Sequence, residues 1–144
     1  MLGARVAITM KRKLEIAPEV EASARAVVDA LFQVHTALGP GLYESVYSAC
    51  FEEELRFRGI CNVREIPIPV VYRSRPLEVG FRADFIVEDC LLVELKAVEA
   101  ILPLHLAQTI TYLKLTNLPL GILANLNVNL FREGVRRVFN PGLA

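Results

Sequence analysis

The chain has 144 residues, enough for one domain with a substantial core, and its 53% hydrophobic and 22% charged residues exclude a disordered protein. Sixteen basic and sixteen acidic residues cancel, which argues against coating of nucleic acid by bulk electrostatics and leaves only a local basic rim for a phosphate backbone. Cys50, Cys61 and Cys90 form no CxxC pair and their odd count does not suit a disulfide framework, which points to a reducing cytoplasm, and no apolar run approaches the ~18 residues of a membrane helix.

The opening MLGARVAITM precedes Lys11-Arg12-Lys13, the reverse of the basic-then-apolar order of a signal peptide. Met10 is a candidate start, and residues 1–17 are expected to form a mobile arm ahead of a single domain over residues 18–144. Pro18 and Glu19 suit a first helical turn, and Ala24, Val27, Val28, Leu31, Val34 or His35, and Leu38 recur at helical spacing down to Gly39-Pro40-Gly41. A second helix is predicted from about Leu42 to Arg58, with Val46, Tyr47, Cys50, Phe51 and Leu55 inward and Gly59 closing it.

Val63 to Tyr72 reads as an edge strand, because Pro67 and Pro69 cannot donate to a ladder. Phe81 to Val87 and Leu91 to Ala97 read as a hairpin around the three-residue loop Glu88-Asp89-Cys90. That loop length pairs Ile86 with Leu92, Phe85 with Val93 and Asp84 with Glu94, whereas a two-residue turn would throw the two carboxylates onto opposite faces. Lys96 then shares the face of Glu94, so two carboxylates and an ammonium converge in a magnesium-site geometry. Phe85, Val87, Val93 and Leu95 fill the other face, and a sheet apolar on both sides is covered on both sides.

Pro103 to Thr116 is expected to be helical, with Leu104, Ala107, Gln108, Thr111, Tyr112 and Leu115 on one side. Leu120 to Leu126 follows as a buried strand, Asn125, Asn127 and Asn129 break the pattern, and Val135 to Phe139 adds a last strand. The expected fold is α/β, a mixed sheet sandwiched by helices in the order α-α-β-β-β-α-β-β.

Several residues admit two readings. Glu44, in the first turn of the second helix, is either a carboxylate favoured by the helix dipole or a further acid of the metal site. Gln108 and Tyr112, four apart on one helical face, are either a surface amide and a core aromatic or a pair that orients Lys96 or a phosphate. His35 on the apolar stripe reads as a satisfied core histidine, and His105 as less special still. Arg73 and Arg75, with Arg132, Arg136 and Arg137, are either solvated surface or a phosphate-contacting rim.

Taken together, these motifs resemble the GxxExxY proteins, a branch of the PD-(D/E)xK nuclease-like superfamily. Gly41, Glu44 and Tyr47 meet the name motif, RADF through VELKA resembles the superfamily core with Asp84 as its single acid and Glu94-Leu95-Lys96 as its ExK, and QTITY from Gln108 is similar to the QxxxY of RecB-type exonuclease domains. The resemblance runs from about residue 24 to residue 139 and departs from the superfamily label at Ala83, which stands where the PD element has proline.

It implies a restriction-endonuclease-like fold and metal-assisted phosphodiester hydrolysis of nucleic acid, with DNA favoured by analogy. Asp84, Glu94 and the Leu95 carbonyl would bind Mg2+, or Mn2+, with Glu44 completing the site or holding a second ion, and Lys96 would position or deprotonate the attacking water. Two alternatives stand beside this: a non-enzymatic binding or regulatory module that keeps the fold, possibly as a homodimer, and a structural cluster in which Lys96 simply neutralises Glu94.

Overall fold

The computed structural model describes residues 15–143, so most of the arm expected over residues 1–17 lies outside the described residues. Helix α1 (Pro18–Leu38) and helix α2 (Glu44–Phe57) come first. Strands β1 (Asn62–Pro67), β2 (Val70–Tyr72), β3 (Arg75–Leu77), β4 (Arg82–Val87) and β5 (Leu91–Lys96) follow. Helix α3 (Pro103–Thr116), strand β6 (Leu120–Asn125), a single turn α4 (Phe131–Gly134) and strand β7 (Val135–Phe139) complete the domain, before a 3-10 turn at Pro141–Leu143.

The main sheet has five strands in the order β1-β4-β5-β6-β7, and only β5 and β6 run parallel. That single parallel step requires a crossover, which α3 supplies. Val27, Leu31, Phe51 and Leu55 of α1 and α2 pack on one face against Phe85, Val87, Val93, Leu95 and Ile122. On the other face Tyr112 and Leu113 of α3 meet Leu92, Leu123 and Val138. Alternation along β5 and β6 thus feeds two cores, as a sheet covered on both faces requires.

The expected order gains two short strands and a helical turn, and the expected strand over Val63 to Tyr72 is split. Its second half leaves the main sheet at Ile68-Pro69 and pairs with Arg75–Leu77 as a separate two-stranded ribbon. Pro69 has no amide to donate to a ladder, and Ile68 is instead buried and bonded through its N–H to the Phe81 carbonyl (2.8 Å). Val46 is exposed rather than inward, and Ser48 takes a buried place in α2. On α3 the packed residues are Thr109, Tyr112 and Leu113, while Leu104, Ala107, Thr111 and Leu115 face outward. Apolar residues lie all round this helix, so its periodicity could not choose a face.

Candidate active site

The β4–β5 hairpin has the expected register over three pairs, Val87 opposing Leu91, Ile86 opposing Leu92 and Phe85 opposing Val93, while the expected strand pair of Asp84 with Glu94 is not formed. Its loop is held by Glu88 and Asp89 in the left-handed region (φ 51° and 54°) and by the Glu88 N–H donating to the Cys61 carbonyl (2.9 Å). Past Phe85 and Val93 the strand ladder stops and side chains take over. The Asp84 N–H donates to Oε1 of Glu94 (2.9 Å), and the Leu95 N–H donates to Oδ2 of Asp84 (2.8 Å). The two acids are therefore locked to each other's strands at the point where the strands part.

That parting has a visible cause on β4. In the β1 ladder Arg64 pairs with Phe85 and Ile66 with Ala83, but Glu65 (φ 53°) and Asp84 drop out. β4 rolls over after Phe85, so that Ala83 packs with Leu92 and Tyr112 on the α3 side. Asp84 lines a cavity of about 200 Å3 with Glu44, Ser45, Ser48, Arg64, Glu65 and Phe85. Glu94 stays on the face of Leu92 and is only 3% exposed. An acid reached from α2 and one facing α3 are brought together by this local roll.

Glu44 opens α2 behind Gly39-Pro40-Gly41, where Gly41 has φ 97°, a conformation that a side chain would disfavour. The Tyr47 hydroxyl ties this loop down, donating to the Gly39 carbonyl (2.6 Å) and accepting from the Leu42 N–H (3.3 Å). Asn127 adds a second tie by accepting from the Gly41 N–H (3.0 Å). Behind Lys96, the buried Asn125 side chain brackets Val98, accepting from its N–H (3.1 Å) and donating to its carbonyl (2.9 Å). The segments bearing Glu44 and Lys96 thus share one asparagine-rich anchor, which sequence reading treated only as a break after β6.

Electrostatics mark the same place. Burial first, and then the charge of Asp84, push the Glu94 carboxyl up to about 8. Asp84 is also raised by burial, against the lowering effects of the Leu95 N–H and Lys96. Glu44 is raised by burial and then by Asp84, with Lys96 opposing. On the α3 side, Gln108 donates to the Tyr112 hydroxyl (3.1 Å), and burial followed by the charges of Glu94 and Asp84 raises the Tyr112 phenol. The charges of Glu44, Asp84, Glu94 and Lys96 thus act on one another at the open end of the hairpin, Tyr112 feels the two central acids, and Gln108 is tied to them only through Tyr112.

Lys96 is half-buried and takes part in none of the five ion pairs among the described residues, so the reading of a direct ion pair with Glu94 does not match the structure. Arg64 is the residue that sequence reading missed. Its guanidinium sits over the Phe85 ring (5.7 Å) and donates to Glu52 (3.1 Å), and it lines the same cavity as Asp84 and lowers that carboxyl. His35 is buried and its Nε2 lies 2.7 Å from the Val128 carbonyl, a satisfied core histidine as expected. His105 accepts from the Leu102 N–H at the start of α3 (2.9 Å).

A Glu94 carboxyl raised by burial and by the charge of the neighbouring Asp84 is a fit for a hard divalent cation, which would replace a proton by a charge the site lacks. Among the described residues no three His, Cys, Asp or Glu side chains are grouped so as to hold a metal by themselves. A cation here would rest on two carboxylates, with main-chain oxygen and water completing its shell, the sparse protein ligation that magnesium accepts. No helix among the described residues is long and apolar enough to cross a membrane.

The family described as the PD-(D/E)XK nuclease superfamily matches residues 21–138. No curated protein and no solved structure matches the chain.

Proposed function

The chain belongs to the PD-(D/E)XK nuclease superfamily, and from that membership we propose that it is a metal-dependent nuclease of the GxxExxY type, hydrolysing phosphodiester bonds in nucleic acid, with DNA favoured by analogy. The observation that carries this reading is the exchange of hydrogen bonds between Asp84 and Glu94 across the parting strands. It fixes one oxygen of each carboxylate to the backbone of the other strand and holds the two acids side by side where the strands part. With Glu44, Asp84 and Glu94 ionised and Lys96 protonated, the cluster carries two net negative charges, which one divalent ion neutralises.

In this reading Asp84, Glu94 and the Leu95 carbonyl would hold Mg2+ or Mn2+, and Glu44, which is not grouped with the two acids as a third direct ligand, would reach the ion through its water. When bound, such an ion lowers the pKa of water and stabilises negative charge on the phosphate. Lys96 positions the attacking water and relays its proton. The Gln108–Tyr112 pair orients the scissile phosphate from the α3 side, and Arg64 offers a cation in the lining of the Asp84 cavity. The free thiols Cys50, Cys61 and Cys90 support a reducing, cytoplasmic setting for this chemistry.

The test is calorimetric Mg2+ and Mn2+ binding joined to a cleavage assay on mixed nucleic acids. Asp84→Ala should lose metal binding and cleavage together. Lys96→Ala should keep metal binding and lose turnover by about 100-fold or more, the usual scale for a positioned proton-transfer group. Cleavage retained by either folded variant overturns the mechanism.

A further inference from the structure

The β2–β3 ribbon has no folding rationale of its own. Every residue from Val71 to Arg82 is exposed, including Val71 (60%), Tyr72 (63%) and Val79 (56%). An isolated two-stranded hairpin is marginal in water, and exposed apolar surface of this kind marks an interaction site. The ribbon continues β1 and β4 directly beyond the acid pair, with Arg82 two residues before Asp84 and paired with Pro67. At its base the Phe81 ring meets the Tyr112 ring edge-on (5.9 Å between centroids).

Its chemistry is basic and aromatic. Arg73, Arg75 and Arg82 stand against the single acid Glu78, in a chain whose net charge is zero. None of these three arginines takes part in the ion pairs among the described residues. Tyr72 opposes Arg75 across the ribbon, and the Arg73 guanidinium lies 5.9 Å from the Tyr72 ring centroid. Arg73 and Ser74 form a two-residue turn with both φ values positive (49° and 64°), a turn that ordinarily selects Gly or Asn. An arginine held in that conformation at an exposed tip is backbone strain of the kind that clusters at functional sites.

The other basic group is largely spoken for. On the opposite edge of the sheet Arg137 is paired with Glu21 (2.7 Å), and Arg136 donates to the carbonyls of Glu133 and Val135 (3.0 Å each), which leaves Arg132 outside the ion pairs among the described residues. Two of the three arginines of that edge are thus committed, whereas all three of the ribbon stand outside those ion pairs beside the acids.

We propose that the β2–β3 ribbon is a nucleic-acid grip, in which Arg73, Arg75 and Arg82 bind the phosphate backbone of a single-stranded segment and Tyr72 stacks on an unpaired base. It rests on the nuclease reading above, and it gives that site a substrate form: a strand end or unpaired stretch led past Asp84 and Glu94. Charge complementarity selects a polyanion, and an aromatic face accepts any base.

The test is fluorescence anisotropy with a labelled single-stranded oligonucleotide in calcium across a salt series, with cleavage followed in magnesium on the same samples. Arg73→Ala/Arg75→Ala should weaken binding about tenfold or more and flatten the slope of log K against log salt by about 1.4, or 0.7 for each phosphate of a single strand that is no longer neutralised. Tyr72→Ala should weaken binding roughly tenfold without changing the slope, and Tyr72→Phe should restore it. Glu78→Lys should tighten binding and steepen the slope, a gain that misfolding cannot mimic.

Unchanged affinity and slope in these variants, with the wild type still binding and cleaving, overturn the grip and leave the nuclease reading standing. Ribbon-dependent binding without cleavage in the wild type supports the grip and removes the nuclease reading. Absence of both binding and cleavage in the wild type removes both. A change of oligomeric state in the ribbon variants at unchanged oligonucleotide affinity overturns the grip in favour of self-association.

Discussion

The two ends of the β4–β5 hairpin are built on opposite principles. At the turn end Val87, Leu91, Phe85 and Val93 are fully buried, paired in regular register and covered by α1 and α2. At the open end the ladder is replaced by side chains that bond to backbone amides, and two carboxyl groups are buried beside each other at a cost visible in their raised proton affinities. The first arrangement minimises free energy locally. The second is tolerated because the rest of the hairpin holds it, which is how proteins accommodate electrostatic strain at sites that handle ligands.

Breaking the turn end should give the largest effect. Phe85 is fully buried and meets Phe51 edge-on with 4.9 Å between ring centroids. Phe85→Ala should cost about 3–5 kcal/mol through lost burial and the cavity left behind. Chemical denaturation would read this as a lower midpoint with the slope unchanged, and a loss below about 1 kcal/mol would show that the hairpin is not the centre of the fold.

The open end should respond in the opposite sense when its charge is removed. The Glu94 carboxyl is raised to about 8 in the folded protein from an unfolded value of 4.5, so its protonated form is favoured by folding. The associated stability is fully present below about pH 4.5 and is lost as pH rises through about 8, on the order of 5 kcal/mol in metal-free protein. Glu94→Gln should flatten this dependence and raise stability at pH 8 in EDTA while removing stabilisation by Mg2+. Melting curves from pH 5 to 9, with EDTA or Mg2+, would decide it, and a metal-free wild type that grows more stable toward pH 8 contradicts the buried-pair account.

The contrast between the two ends also explains what could be read in advance. The hairpin register, the extent of α3 over Pro103–Thr116 and the strand Val135–Phe139 follow from loop length, a starting proline and a flanking glycine, which are local causes. Strand alternation placed Glu94 and Lys96 on one face and the motif spacing pointed to Glu44, Gln108 and Tyr112, but Asp84 reaches Glu94 by leaving the alternation expected of it. What remained hidden is tertiary. The roll of β4 after Phe85, the place of Arg64 and the ribbon cut at Pro69 depend on which strand lies beside which. The packed face of α3 was misread because Leu104 and Leu115 are as apolar as Leu113 and only the sheet distinguishes them.

A smaller perturbation sharpens the comparison without touching an acid. Tyr47 is fully buried, yet its hydroxyl holds the loop before Glu44 through the Gly39 carbonyl and the Leu42 N–H. Tyr47→Phe keeps the ring in the core and removes only those bonds, so the stability loss should be about 1–2 kcal/mol, the scale of one buried hydrogen bond with its partner left unpaired. If the loop serves the open end, the same change should weaken Mg2+ binding and cleavage more than the melting temperature alone would explain, because Glu44 loses its fixed position opposite Asp84. Equal falls in stability and no change in metal affinity would assign Tyr47 to the core and detach Glu44 from the site.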